Sequence, residues 1–165
     1  MALDITVSLV LRVLLAFIFV RAAVHKARNF KQFLEQLDDY ELLPPGLLPE
    51  ISLLIIVTES ALALTLPVPV WSFPPLLAAA LLGAYAFAMG INLARGRIDL
   101  DCGCAGPAEF SPGLSWALVI RNSVLVLLAL AAAMPITERT LSLQDMGTVT
   151  VASLAAILLY SVAEV

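Results

Sequence analysis

Long apolar runs, each closed by a short polar break, set the pattern of this chain. About 20 helical residues cross a hydrocarbon core ~30 Å thick, so runs near that length predict membrane-spanning helices. The first covers about residues 5–24, the second 47–66, the third 73–93 and the fourth 114–134. A fifth candidate at 146–162 is weakened by Thr148, Thr150, Ser153 and Tyr160. Between the first two runs, Phe30, Phe33, Leu34 and Leu37 fall at i, i+3, i+4 and i+7, which predicts an amphipathic helix over about 29–40 lying along the membrane surface. Leu43-Pro44-Pro45-Gly46 ends that helix, and Pro67-Val68-Pro69 with Trp71 turns the chain at the opposite surface. The expected fold class is all-α: an integral membrane bundle of four or five transmembrane helices with one interfacial amphipathic helix, forming a single domain over 1–165.

Composition supports lipid as the solvent. Hydrophobic residues make up 61% and charged residues 13%, where a soluble domain carries about a quarter charged residues. A formal charge of −4 and the absence of any long Lys/Arg run exclude a nucleic-acid partner. The first run does not read as a cleaved signal peptide, because Asp4 stands where a basic segment belongs and Arg12 interrupts the apolar stretch. Arg21, His25, Lys26, Arg28 and Lys31 close the first run and read as an anchor at one surface, called side A. Arg95 and Arg97 share that side by parity, whereas the other loops hold only Arg139. The positive-inside rule then puts side A in the cytoplasm.

Arg12, Glu59 and Arg121 fall inside the apolar runs, where a lone charge costs about 2.5–3.5 kcal/mol at the helix centre. At ~1.5 Å per residue, Arg12 and Glu59 lie roughly 18 Å from side A and Arg121 roughly 10 Å. Asn92 and Asn122 add polar groups to the same half. One reading is a structural ion pair that fixes helix order. The other is the floor of a site roofed by the polar segment 94–112, which carries Arg95, Arg97, Asp99, Asp101, Glu109 and both cysteines.

Those cysteines, Cys102 and Cys104, flank Gly103. Two thiols one residue apart can close a small strained ring, and strained exposed bridges are the labile kind. Gly103 permits the dihedrals such a ring needs. Arg95 and Arg97 favour the reactive thiolate, whereas Asp99 and Asp101 oppose it. Three readings stay open: a redox dithiol that exchanges with a partner protein, capture of copper, mercury or zinc with His25 as a third ligand, and an inert reduced pair.

Several motifs together resemble a known family. Ile91-Asn92-Leu93-Ala94-Arg95-Gly96-Arg97, then Asp101-Cys102-Gly103-Cys104-Ala105-Gly106 and Arg121-Asn122, are similar to the methylamine-utilisation MauE family, a relative of the DoxX-like membrane proteins. Lys26, Tyr40 with Leu42-Leu43-Pro44, and Glu59 fit the same pattern, so the likeness spans about Arg12 to Leu130. The resemblance implies a multi-pass protein of the bacterial inner membrane that assists maturation of a disulfide-rich dehydrogenase subunit. It implies a periplasmic thioredoxin-like partner and a redox role for Cys102 and Cys104. Their charge makes Arg95, Arg97 and Arg121 the candidates to stabilise the thiolate. A lipid-soluble quinone is a candidate electron acceptor, with no motif that marks its site. The resemblance wants the cysteines in the periplasm, opposite to the side given by the positive-inside rule.

Overall fold

The computed structural model describes residues 2–69, 71–100, 113–137, 140 and 142–163. Among these, six α-helices follow one another: α1 (Ile5–Arg28), α2 (Phe30–Asp39), α3 (Leu48–Thr65), α4 (Phe73–Ala94), α5 (Trp116–Ala132) and α6 (Leu143–Ala163). Four are long and apolar enough to cross a membrane: α1, α3 with its leading 3-10 turn from Pro45, α4 and α6. Apolar α5 is shorter, at 17 residues.

Local chemistry explains the helix ends. The Asp4 carboxylate caps α1 by accepting from the Thr6 amide at 2.8 Å. α1 runs to Arg28 rather than stopping near residue 24, and His25, Lys26 and Arg28 occupy its last turn, where cations oppose the helix dipole. α2 confirms the amphipathic period: Phe33 is buried, and the helix folds back onto α1 and α3. The fifth apolar segment is helical too, with two of its hydroxyls satisfied locally, while Ser153 Oγ is buried with no partner among the described residues. Thr148 and Thr150 donate to the carbonyls of Gln144 and Met146 at 3.0 and 2.9 Å, and Ser142 and Asp145 cap the helix start reciprocally.

α1 is the central strut, packing against α2, α3, α5 and α6, while α4 and α5 form the most extensive pair. Its inner face carries Ser8, Arg12, Leu15, Phe19, Ala23 and Lys26 at helical spacing, all buried. The main apolar core joins Leu15, Ile18 and Phe19 of α1 with Leu62 and Leu66, Ala78, Ala79 and Leu82 of α4, and Leu125 and Ala129 of α5.

The two ends of the bundle differ. On the side opposite to A, Leu3 forms an isolated bridge with Ile136, its amide donating to Pro135 O at 2.7 Å and its carbonyl accepting from the Thr137 amide at 3.0 Å. Beneath that bridge Arg12 is 1% exposed. Its guanidinium donates to Ser8 Oγ at 3.1 Å, Val68 O at 3.1 Å, Trp71 O at 3.0 Å and Ala132 O at 3.0 Å. One side chain thus ties α1 to the α3–α4 connection and to the last carbonyl of α5, an end that α5 cannot satisfy itself. This corrects the expectation that Arg12 belongs to a polar cluster with Glu59. A guanidinium's planar fork suits several carbonyls at a helix-end junction, so the charge is resolved by backbone oxygens rather than by a carboxylate.

Candidate functional site

Glu59 finds its counter-charge in Lys26. Its side chain is 0% exposed, and Lys26 Nζ donates to Glu59 Oε1. The Tyr85 hydroxyl donates to the same oxygen at 2.7 Å, and Lys26 Nζ lies 3.4 Å from that hydroxyl. The ammonium also sits 4.9 Å from the Tyr85 ring centroid and 5.3 Å from that of Phe33, within cation–π range. Lys26 is therefore no surface anchor, as its place in the basic cluster suggested. A helical side chain leans toward the N-terminus of its helix, which carries the Lys26 ammonium back into the bundle. Glu59 Oε2 has no hydrogen-bond partner among the described residues.

A cavity of about 40 Å³ adjoins this pair. Glu59, Lys26 and Tyr85 line it with Arg21 from α1, Arg121 and Asn122 from α5, and Tyr160 from α6. Glu59, Arg121 and Asn122 of the predicted polar set thus come together and are joined by Lys26, whereas Arg12 does not take part. Tyr85 was missed, because a tyrosine inside an apolar run carries no charge to single it out.

Asn92, Arg95 and Arg97 do different work at the end of α4. Gly96 has φ +76, its amide donates to Leu93 O at 3.0 Å, and the Arg97 amide donates to Asn92 O at 3.0 Å. This is a Schellman C-cap, which needs the left-handed conformation that glycine adopts freely. Asn92 is fully buried and its amide donates to Tyr40 O at 3.3 Å and Ala88 O at 3.2 Å. Arg97 reaches Asn92 Oδ1 at 3.4 Å and Glu41 Oε1 at 3.1 Å. The motif therefore clamps the end of α4 to the Tyr40-Glu41 turn after α2. Arg95 is exposed at the cap, and His25 is half-buried in the last turn of α1.

Beyond the clamp the chain approaches the segment 101–112 through a closed neck. Leu114 donates its amide to Leu100 O at 3.0 Å, and Leu114 is 4% exposed. A Cβ on Gly113 would meet Ile98 O at 2.2 Å, so only glycine permits this approach. Leu100 and Leu114 pack with Tyr40, Met89 and Tyr85, which places the neck on the same apolar cluster that holds the Glu59 ligand Tyr85. Cys102 and Cys104 lie outside the described residues, and so does any metal set that would join them to His25. Among the described residues no three His, Cys, Asp or Glu side chains are grouped to hold a metal ion.

Residues 5–135 match the family model for methylamine utilisation protein MauE, a span that takes in α1 to α5 and the neck. A relative of that name from Paracoccus denitrificans is 41% identical over 124 residues, covering 74% of this chain and 66% of the relative. One from Paracoccus versutus is 36% identical over the same shares. A third, from Methylophilus methylotrophus, is 29% identical over 163 residues, 98% of this chain and 86% of the relative. The chain thus spans about two thirds of the length of the two Paracoccus proteins. No solved structure matches it.

Proposed function

We infer, from the premise that this chain belongs to the MauE family of multi-pass membrane proteins, that it is an inner-membrane thiol–disulfide exchange protein acting through Cys102 and Cys104. The relatives carry methylamine utilisation in their names, and we carry that role to this chain as part of the reading. Its partner is a periplasmic thioredoxin-like protein, which passes the exchange on to a client with disulfides.

The observation that carries this reading is the neck. A backbone hydrogen bond between Leu114 and Leu100, the glycine-only contact of Gly113 with Ile98 and the Asn92–Arg97 clamp together fix both ends of the cysteine segment to the side A half of the bundle. An inert linker has no use for such anchorage, whereas a dithiol that must meet a partner's disulfide gains from a fixed base.

In the proposed step, a thiolate of one cysteine attacks a sulfur of the partner disulfide. The partner's S–S bond breaks, its other sulfur leaves and takes up a proton, and a mixed disulfide forms. The second cysteine, once deprotonated, attacks the mixed bond, releases the second partner thiol and closes a Cys102–Cys104 bridge. Two electrons and the two protons shed by the cysteines pass to the partner, and the reverse sequence returns them.

Side A then faces the periplasm, against the Lys/Arg count. Two features weaken that count: Lys26 is turned into the bundle, and Arg12 lies toward the other side.

Trapping tests the reading. Cys102→Ser and Cys104→Ser are each expressed in cells, and membranes are run on a non-reducing gel. One single variant is expected to accumulate a reductant-sensitive covalent complex that the double variant lacks. Full function in the double serine variant, with no complex from either single one, overturns the reading in favour of a scaffold. Stoichiometric copper or mercury binding lost in the double variant, again without a mixed disulfide, overturns it in favour of a metal carrier.

A further inference from the structure

Two buried hydroxyl and carboxylate oxygens on one face of α3 have no partner among the described residues, Ser52 Oγ and Glu59 Oε2. Both side chains are 0% exposed. They lie seven residues apart, two helical turns and roughly 10 Å along one stripe, with Ser52 nearer side A. Buried oxygens without protein partners are as a rule satisfied by internal water. The cavity beside Glu59 has about 40 Å³, and by that measure a single water needs on the order of 10–15 Å³. There is room for a few waters.

The surroundings decide which way that water connects. Toward the far side, four helices turn apolar directly past the site: Leu15 to Phe19 on α1, Leu62 and Leu66 at the end of α3, Ala78 to Leu82 on α4, and Leu125 to Ala132 on α5; α6 brings one buried hydroxyl there, Ser153, which also has no partner among the described residues. The Arg12 guanidinium closes that end with a positive charge. Toward side A the polar groups continue, with Ser52, Asn92 and Asn122 all buried there.

We propose that the cavity walled by Lys26, Glu59 and Tyr85 is a hydrated proton-exchange site reached from side A alone. Its ligand is water or hydronium. Glu59 takes a proton on Oε2, an O–H bond of hydronium breaking as the carboxyl O–H forms and water remaining behind. Release runs backward. The groups that face Glu59 and tune this exchange are Lys26 and Arg21 on α1, Tyr85 on α4, Arg121 on α5 and Tyr160 on α6. Oε1 stays held by Lys26 and Tyr85, which leaves Oε2 as the exchanging atom. The site stands apart from the thiol chemistry and is readable in a chain without cysteines.

The test uses the full chain in lipid vesicles, in wild type and in the Cys102→Ser/Cys104→Ser variant. Infrared difference spectra are taken across a pH series and after transfer to heavy water. The expected result is a carboxyl signal that changes with pH, shifts in heavy water and is missing in Glu59→Gln. If Glu59→Gln does not fold, Tyr85→Phe serves instead, since loss of one hydrogen bond to Oε1 displaces the same band. A Glu59 signal fixed across every pH at which the helices persist overturns the proposal and makes the pair a static brace. Sidedness is read with a pH dye trapped in the vesicles. Proton flux equal to that of protein-free vesicles supports access from one side, and a flux that Glu59→Gln abolishes overturns it.

Discussion

Removing the ammonium of Lys26 exposes what the buried pair contributes. In Lys26→Met the carboxylate of Glu59 keeps, of its two protein partners, the 2.7 Å hydrogen bond from Tyr85 alone, at a position with 0% exposure. Breaking a buried pair by deleting one partner costs about 3–5 kcal/mol, because the remaining charge is left uncompensated. The lone-charge penalty in a membrane helix, about 2.5–3.5 kcal/mol, points to the same size. Glu59→Gln in the same background removes that charge, and its amide still accepts from Tyr85. The double variant is therefore expected to recover most of the loss and to sit within about 1–2 kcal/mol of wild type, since a buried pair replaced as a unit is often close to neutral. Reversible unfolding in mixed micelles, followed by helical circular dichroism, gives all four corners of the cycle. A Lys26→Met variant within about 0.5 kcal/mol of wild type, the level of an ordinary surface change, would show that Glu59 does not depend on the ammonium. So would a double variant whose loss is the sum of the two single ones, since contacting residues that depend on each other do not add.

The other elements make separate predictions. Arg12→Met strands the carbonyls of Val68, Trp71 and Ala132, each at about 1–3 kcal/mol when left unpaired, and is expected to lower the unfolding midpoint more than any neutral change on the outer face of α1. Arg12→Lys keeps the charge without the planar fork and is expected to fall between the two. Gly96→Ala places a side chain at φ +76, for about 1–2 kcal/mol, and is expected to weaken the α4 clamp as measured by hydrogen exchange at Arg97. Gly113→Ala drives a Cβ into Ile98 O. After reduction, it is expected to speed alkylation of Cys102 and Cys104 several-fold with helix content unchanged, and an unchanged rate would show that the neck does not restrain the segment.

Much of the bundle was legible because apolar runs of membrane length have few alternatives to helix, and α2 because its period is strict. The extent of α1 was harder to read, since a basic cluster at the end of an apolar run looks the same whether it anchors outside or turns inward. A signal for Lys26 was present: Arg12 and Lys26 stand fourteen residues apart, two heptads, on the stripe that also holds Leu15 and Phe19. Depth alone paired Arg12 with Glu59 because it took side A to begin near residue 24. The structure carries α1 to Arg28, and the counter-charge passes to Lys26. The motif Asn92 to Arg97 stood out in the sequence as the likeness to the family, yet its work as a clamp depends on Tyr40 and Glu41, 52 and 56 residues away. No local pattern announces such a contact.

Whether Cys102 and Cys104 form a reducible bridge on the periplasmic face is decided by their redox state in intact cells. Cells are treated with a membrane-permeant or an impermeant thiol reagent, with and without prior reduction, and labelling is read by mass shift on this chain. The account expects little labelling before reduction and, after it, two thiols reached by the impermeant reagent, the mark of a reducible bridge on the periplasmic face. Two thiols that are always free and reached only by the permeant reagent would contradict it.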